Sequence, residues 1–259
     1  MSLIQTQFAG GIGTIVLNND SRRNVLGEAL VSEIWEVLSA FETAGARAVV
    51  LRANPGIKVW SAGHDVEELP EKGGDPLKWS DPLRKLVRHI EACQAPVIAQ
   101  VDGSVWGGAC EVVFACDLIV ATPTASFAAT PARLGVPYNA TGLLTYLNSL
   151  PLRIAKEMLF TARPLTAERL ERLGIINHVV DAEEIDEFCR ALTADIANNA
   201  PLSISVMKEQ MRILSAARAM SPYDFERIQG LRHVVLSSDD YEEGIEAFKS
   251  KRKPKFSGN

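Results

Sequence analysis

Two hydrophobic spacings alternate along most of this chain. Short apolar runs at residues 13–18, 48–51 and 96–101 have the length and composition of buried β-strands. Between them, residues 27–44 and 82–92 place apolar side chains three or four positions apart, as one face of a helix does. Strands that alternate with helices in this way predict a mixed α/β core.

Helices alone are predicted beyond Pro201, and two of them have broad apolar faces. These faces are formed by Ile204, Met207, Met211 and Leu214, and by Phe225, Ile228, Leu231 and Val235. A detached appendage would expose such faces to water, so we expect other subunits to cover them. The chain is therefore divided into a core at 1–200, which holds the active site, and a helical region at 201–259 for subunit contacts.

A pair of glycines, Gly107 and Gly108, stands between a predicted strand and a short predicted helix. Glycine permits backbone conformations that other residues rarely adopt, and it lets a ligand approach the main chain closely. The first N–H groups of a helix have no internal partner, and the helix dipole adds roughly half a positive charge there. Such a turn suits a carbonyl oxygen that becomes negative during a reaction. The same residues are equally consistent with a tight turn that binds no ligand.

Composition narrows the class of protein. A chain of 259 residues that is 47% hydrophobic can bury a large core, and its net charge of −5 argues against general nucleic-acid binding. Its four cysteines form no CxxC pair, and its histidines lack the spacing of metal ligands. With no leader-like segment and no apolar run of about 18 residues, we expect a cytoplasmic enzyme that contacts neither membrane nor nucleic acid.

Several motifs, in their order and spacing, resemble the crotonase (enoyl-CoA hydratase/isomerase) superfamily. They are Arg-Asn-Val-Leu at 23–26, Ser-Ala-Gly-His-Asp at 61–65, the Gly107-Gly108 turn with Glu111, and Ala-Phe-Lys-Ser-Lys-Arg-Lys-Pro at 247–254. The resemblance spans nearly the whole chain. It implies an α/β, crotonase-like spiral of ββα units, assembly as a homotrimer or homohexamer, and an acyl-CoA thioester as the substrate.

The resemblance also assigns candidate catalytic groups. The two N–H groups of the family's oxyanion hole correspond to His64 and Gly108, and the first of two hydratase glutamates corresponds to Glu111. The second glutamate falls on Pro131, which cannot transfer a proton, so ordinary hydration is not expected. Glu111 is then either a lone base, as in double-bond isomerisation, or a carboxylate that only orders the turn.

Further motifs resemble the decarboxylating members of the family, including Asp-Pro-Leu-Arg at 81–84 and Leu-Gly-Val-Pro-Tyr-Asn at 134–139. There the tyrosine corresponding to Tyr138 lies beside the reacting carboxylate. The reaction implied is conversion of methylmalonyl-CoA to propionyl-CoA and CO2 by a carbon-carbon lyase, through a thioester enolate that needs no base. Two alternatives stay open: Tyr138 as a packing residue, and His64 as either a proton donor to the enolate or a backbone donor alone.

For the coenzyme A moiety of the substrate, the resemblance implies seven contact residues. They comprise Ala62, Asp65 and Val25 around the adenine, Arg22 or Arg23 near the phosphates, and Phe248 and Lys251 from the C-terminal helices of this or a neighbouring subunit. No metal and no cofactor beyond this moiety are expected. A scaffold or RNA-binding role, which some relatives have acquired, is disfavoured by the acidic composition and the lack of a basic stripe with aromatic residues.

Overall fold

The protein, as a computed structural model, is described over residues 2–217 and 219–259. Met1 and Arg218, which fall in the predicted core and the predicted helical region, lie outside the described residues. The strands are β1 (Ile4–Ala9), β2 (Ile12–Leu17), β3 (Ala48–Ala53), β4 (Val59–Ser61), β5 (Val97–Val101), β6 (Ser104–Trp106), β7 (Leu118–Ala121), β8 (Ser126–Ala128), β9 (Leu165–Thr166) and β10 (His178–Val179).

Helices follow the strands and close the chain. They are α1 (Glu28–Thr43), α2 (Pro82–Ala92), α3 (Gly108–Ala115), α4 (Ala140–Ser149), α5 (Leu152–Thr161), α6 (Ala167–Arg172), α7 (Ile185–Asn198), α8 (Pro201–Ala216), α9 (Pro222–Leu236) and α10 (Asp239–Lys249). Short 3-10 helices are found at Asp20–Arg22, Val66–Glu68 and Pro131–Leu134. In the described ranges, no helix combines the length and apolarity needed to traverse a lipid bilayer.

The strands form two sheets that are built by a repeated ββα unit. The larger sheet has the order β1-β2-β3-β5-β7-β10, antiparallel between β1 and β2 and parallel elsewhere. The smaller sheet has the order β4-β6-β8-β9. Each pair of consecutive strands, β3-β4, β5-β6 and β7-β8, gives its first strand to the larger sheet and its second to the smaller, and a helix follows. The chain therefore advances as the predicted spiral.

Burial explains why many strands and helices can be recognised from the hydrophobic positions in the sequence. All five residues of β5 are buried, as expected for a parallel strand covered on both faces. Helix α2 buries Leu83, Leu86, Val87 and Ile90 on one face, the three-and-four spacing that predicted it. These elements meet in one continuous apolar core.

Strands β1 and β6 are not marked by an apolar run in the sequence. Strand β1 buries Ile4 alone, and the rest of its residues are exposed, so hydrophobicity does not mark it. Strand β6 follows Gly103 and is only three residues long, with Val105 fully buried between two half-buried neighbours. Both strands exist because a neighbouring strand supplies their backbone hydrogen bonds, which a one-dimensional pattern does not report.

The last two helices pack against the core of their own chain. Gly244 of α10 fits so closely on the 3-10 helix Pro131–Leu134 that a Cβ there would lie 2.5 Å from the carbonyl carbon of Leu134. Arg232 of α9 binds the Asp75 carboxylate through two contacts of 2.6 and 3.0 Å. The C-terminal region is therefore docked beside the loop that precedes α2, and it is not a detached appendage.

Helix α8 contacts the core through one face and leaves the other open. The Lys208 ammonium lies 2.7 Å from the Asp117 carboxylate and also donates to two backbone carbonyl oxygens. Large apolar side chains stay exposed on α8 and α9, among them Met211, Leu214, Phe225 and Leu231. These side chains belong to the faces for which the sequence predicts subunit contacts.

Candidate active site

A cavity of about 640 Å³ lies between the first turns of α2 and α3, the 3-10 helix Pro131–Leu134 and the end of α10. It brings together most of the residues predicted for the site. These are His64, Gly108 and Tyr138 of the predicted catalytic residues, and Arg22, Val25, Ala62, Asp65, Phe248 and Lys251 of the predicted coenzyme contacts. Glu111 and Arg23 do not line this cavity.

The segment that carries His64 is held by a buried asparagine. Asn24 is fully buried and has a left-handed backbone with φ of 49°. Its side-chain amide donates to the Trp60 carbonyl oxygen at 3.0 Å, and its own carbonyl accepts from the Ser61 hydroxyl at 2.7 Å. The Leu26 N–H then donates to the Gly63 carbonyl oxygen at 2.8 Å. These three hydrogen bonds join residues 24–26 to residues 60–63 and so fix the segment that leads to His64.

Two backbone N–H groups meet at the cavity without a protein acceptor. Gly108 is the first residue of α3, so its N–H has no intrahelical partner. In residues 2–217 and 219–259, neither this N–H nor that of His64 donates a hydrogen bond to a protein group. A Cβ added to Gly63 would lie 2.8 Å from the Gly108 nitrogen, and one added to Gly108 would lie 3.4 Å from the His64 nitrogen. Glycine at both positions lets the two donors approach each other.

The His64 ring is bound at both of its nitrogens. Nδ1 lies 3.0 Å from the Asp65 carbonyl oxygen, which can only accept, and Nε2 lies 2.9 Å from the Asp81 carboxylate. Burial lowers the pKa of His64, but the hydrogen bond and the negative charge of Asp81 outweigh it and raise the pKa above 6.5. Both contacts can be hydrogen bonds at once only when the ring carries two protons, and the raised pKa favours that form. Proton donation from it to a substrate would require one of these bonds to break.

Glu111 lies behind the cavity wall and is paired with a cation. It is 0% exposed, Arg84 is 2% exposed, and the two side chains form an ion pair. Arg84 also donates to the Thr141 hydroxyl at 2.7 Å, which ties α2, α3 and α4 together. A carboxylate bound in this way favours the ordering role over the role of a lone base.

Tyr138 lines the same cavity and carries a neutral hydroxyl. Its side chain is almost completely buried, and its hydroxyl lies 3.0 Å from that of Tyr146. Burial raises the pKa of Tyr138 far above its ordinary value, so the hydroxyl keeps its proton at physiological pH. Pro131, the position at which the resemblance predicts no second glutamate, also lines the cavity. The reactive end therefore offers hydrogen-bond donors and no free carboxylate.

Comparison with known proteins places the whole chain in a family. The sequence profile of the enoyl-CoA hydratase/isomerase family matches residues 7–259. The chain belongs to this family. Methylmalonyl-CoA decarboxylase of Escherichia coli (strain K12) is 44% identical over 248 residues, which cover 96% of this chain and 95% of that protein. Carnitinyl-CoA dehydratase of Citrobacter koseri is 33% identical over 239 residues, which cover 92% of each.

Comparison with a solved structure of a family member supports the same assignment for the fold. Methylmalonyl-CoA decarboxylase in complex with 2-nitronate-propionyl-CoA matches with a TM-score of 0.98 and 42% identity, over 99% of both chains. The predicted crotonase fold is thus confirmed. The cavity lies in a scaffold that superimposes almost completely on that of a family member with a bound acyl-CoA analogue.

Part of the cavity lining in this chain is charged, and a cation there is paired with carboxylates. The Arg22 guanidinium lies 3.0 Å from Asp65 and 2.8 Å from Glu67. Phe248 and Lys251 reach the cavity from the end of α10 of the same chain, so no neighbouring subunit is needed to bring them there. Arg22 and Lys251 supply positive charge at the mouth, where a phosphate-bearing ligand would enter.

Of the two arginines predicted near the phosphates, Arg22 lines the cavity and Arg23 does not. The Arg23 side chain is exposed, and its backbone is left-handed, with φ of 54°. Its carbonyl oxygen accepts from the Ala62 N–H at 2.9 Å. Arg23 therefore helps to shape the loop before His64, and its contact with the coenzyme stays a prediction.

Asp81 and Arg84 are the functional residues that sequence reasoning missed. Asp81 caps α2, and its other oxygen holds the His64 ring. A signal was present, since an aspartate directly before a proline predicts a helix N-cap. The sequence does not show that this cap also faces a histidine from another loop, nor that Arg84 faces Glu111.

We predict that Asp81→Asn lowers the pKa of His64 from its value in the natural protein, because burial persists while the neighbouring carboxylate is lost. Asparagine is itself a good N-cap, so α2 is retained. In the natural protein the pKa of His64 is higher in the folded state than in the unfolded state. The His64–Asp81 pair therefore stabilises the folded protein fully at pH values below the unfolded-state pKa, and this stabilisation is lost as the pH rises through the folded-state pKa. NMR titration of the His64 ring in both proteins measures the difference, and an unchanged pKa would contradict the role given to Asp81.

Proposed function

We propose that this protein is a carbon-carbon lyase that converts methylmalonyl-CoA to propionyl-CoA and CO2. The observation that carries the proposal is the pair of unpartnered N–H donors of His64 and Gly108, in a cavity whose reactive end holds no free carboxylate. The 44% identity to a methylmalonyl-CoA decarboxylase over nearly the full length of both chains supports it. The reaction uses no cofactor beyond the coenzyme A moiety of the substrate.

The two donors supply what the reaction needs. When the C–C bond to the carboxylate breaks, CO2 leaves, and the electron pair passes to the α-carbon and is shared with the thioester oxygen, which becomes an oxyanion. The α-carbon of this enolate then takes a proton from solvent water, which gives propionyl-CoA. Two N–H groups that bind this oxygen stabilise the enolate more than the uncharged thioester, and that difference accelerates the reaction. Loss of one such donor typically costs ~3 kcal/mol of transition-state stabilisation.

Tyr138 is proposed to hold the carboxylate that leaves. Cleavage is fastest when the breaking bond stands perpendicular to the thioester plane, where it overlaps the carbonyl π system. A hydroxyl in the cavity wall can fix the carboxylate in that orientation, which is catalysis by positioning. Because burial keeps the proton on Tyr138, the hydroxyl donates to the carboxylate and does not repel it.

Hydration and isomerisation fit the same site poorly. Both reactions need a base, hydration to activate water and isomerisation to take a proton from carbon, whereas decarboxylation needs only a proton for the enolate. Glu111 is buried in its pair with Arg84, and Pro131 replaces the second carboxylate. The similarity to carnitinyl-CoA dehydratases is also lower, at 33% identity. Negligible activity with crotonyl-CoA is therefore part of the proposal.

The coenzyme is assigned to the wide mouth of the cavity. Arg22 and Lys251 would face its phosphates, with Phe248 beside them, and the backbone around Ala62 and Asp65 would face the adenine. All five residues line the cavity, which supports this arrangement. Arg22 would exchange part of its present pairing with carboxylates for the phosphates when the ligand binds.

We expect methylmalonyl-CoA to be converted to propionyl-CoA and CO2 without added cofactor and at a rate that EDTA does not reduce. Malonyl-CoA should react more poorly, since loss of one methyl contact is worth about 1–3 kcal/mol in an apolar pocket. Chromatography of the CoA thioesters together with CO2 release measures both. Robust hydration of crotonyl-CoA with no decarboxylation would overturn the assignment.

Tyr138→Phe should lower kcat about 10²-fold and leave the affinity for free coenzyme A nearly unchanged, because the hydroxyl acts on the carboxylate in the transition state. Tyr146→Phe is the matched control, since it removes the hydroxyl that lies 3.0 Å from Tyr138 but does not line the cavity. It should cost much less. Equal rates for Tyr138→Phe and the natural protein would return Tyr138 to a packing role.

We also propose that the protein assembles as a trimer or a pair of trimers through α8 and α9. Their exposed apolar faces support this, with Met211 at 64% and Leu214 at 73% exposure in the single chain. Sedimentation velocity at micromolar concentration should show a trimer or hexamer, and Met211→Glu with Leu214→Glu should shift it towards smaller species. A stable monomer of the natural protein would exclude this assembly.

A further inference from the structure

We propose that Arg84 is a positioning residue, which acts through Glu111 to fix the Gly108 N–H beside that of His64. The pair would lock the first turn of α3 against the first turn of α2. This inference rests on the proposed function, because it assigns a purpose to the two donors. It gives Glu111 a task that involves no contact with the substrate.

The Arg84–Glu111 pair is attached to the helical turn that carries one of the donors. Glu111 follows Gly108 by about one turn of α3, so the ion pair with Arg84 restrains the turn that carries the Gly108 N–H. Arg84 lies in the first turn of α2, and both side chains are buried. Arg84 also binds Thr141 at 2.7 Å, so α4 braces the guanidinium from a third side.

The same turn of α2 holds the other donor. Asp81 accepts from the Arg84 N–H at 3.3 Å and binds His64 Nε2 at 2.9 Å. Between them, the Leu83 side chain packs on the start of α3, where a Cβ on Gly108 would lie 2.6 Å from its Cδ2. One helical turn therefore contacts both of the segments whose N–H groups must share one oxygen.

The hydrogen bonding of the pair favours positioning over stabilisation. Within the described part of the chain, Glu111 Oε2 and Arg84 Nε are buried with no hydrogen-bond partner. A buried ion pair that leaves polar atoms unsatisfied contributes little net stability, since desolvation offsets the attraction. It does impose geometry, because a guanidinium and a carboxylate attract strongly at one separation. Catalytic donors lose much of their effect when they move by about 1 Å.

The test replaces both charges, since removal of one alone would leave an uncompensated buried charge. The variant is Arg84→Met with Glu111→Leu, which keeps the volume apolar and the fold intact. The control is Lys208→Met with Asp117→Asn, which removes an ion pair between a buried lysine and a partly exposed aspartate, neither of which lines the cavity. Thermal unfolding measures the folded fraction of each before any assay.

Two ligands distinguish an effect on the two N–H donors from an effect on the rest of the site. The 2-nitronate-propionyl-CoA analogue has a thioester carbonyl that the N–H groups can bind. The thioether 2S-carboxypropyl-CoA has the same coenzyme and a carboxylate but no such carbonyl. We expect the Arg84/Glu111 variant to lose at least about 10-fold in kcat and in affinity for the first ligand, with affinity for the second unchanged. The control should change none of these.

Gly108→Pro measures how much kcat and affinity for the first ligand fall when one donor is removed completely, because proline lacks the N–H and is tolerated at the first position of a helix. Gly108→Ala is its partner, since it adds the Cβ and keeps the N–H. A folded Arg84/Glu111 variant that keeps kcat and binds both analogues normally would overturn the inference, as would equal weakening of both analogues. Failure of the natural protein to decarboxylate methylmalonyl-CoA would instead overturn the proposed function, and the analogue comparison would still report on the donors.

Discussion

The structure depends on two backbone N–H groups that line the cavity without a protein acceptor. Folded chains almost always give a backbone N–H a partner, either a protein group or water. In the described part of the chain, the fold places no acceptor beside the N–H of His64 or Gly108, and other hydrogen bonds hold the two segments in place. Asn24 fixes the first segment, and the start of α3 fixes the second. The free pair is therefore a property of the whole ββα spiral and not of a local motif.

Charge around the cavity follows a consistent rule. Each cation near the reactive end is matched by a carboxylate, His64 by Asp81 and Arg84 by Glu111. This matching leaves no free anion to repel a carboxylate substrate and no free base to take a proton from carbon. The chemistry available is then limited to polarising one oxygen and orienting one bond. These two actions are the ones that the proposed loss of CO2 requires.

Much of the fold and part of the site could be read from the sequence. Helices such as α2 are marked by their apolar spacing, and the ββα order follows from strands that alternate with helices. The contacts of His64, Gly108 and Tyr138 with one cavity were anticipated from motifs that lie far apart in the chain. What could not be read is pairing across elements. Nothing in the spacing of Asp81 or Arg84 shows which side chain each one faces, and exposed β1 has no hydrophobic signal at all.

The docking of α9 and α10 has a consequence for how the ligand and the chain's own stability are related. These helices are attached to the loop before α2 by the Arg232–Asp75 contacts and the close fit of Gly244, and α10 also carries Phe248 and Lys251 to the cavity mouth. A ligand held between this mouth and the core contacts both sides of that attachment. By mass action it stabilises the docked arrangement at the expense of any opening of the C-terminal segment. Ligand binding in the cavity and protection of α9 and α10 against opening are thus coupled, and each one increases with the other.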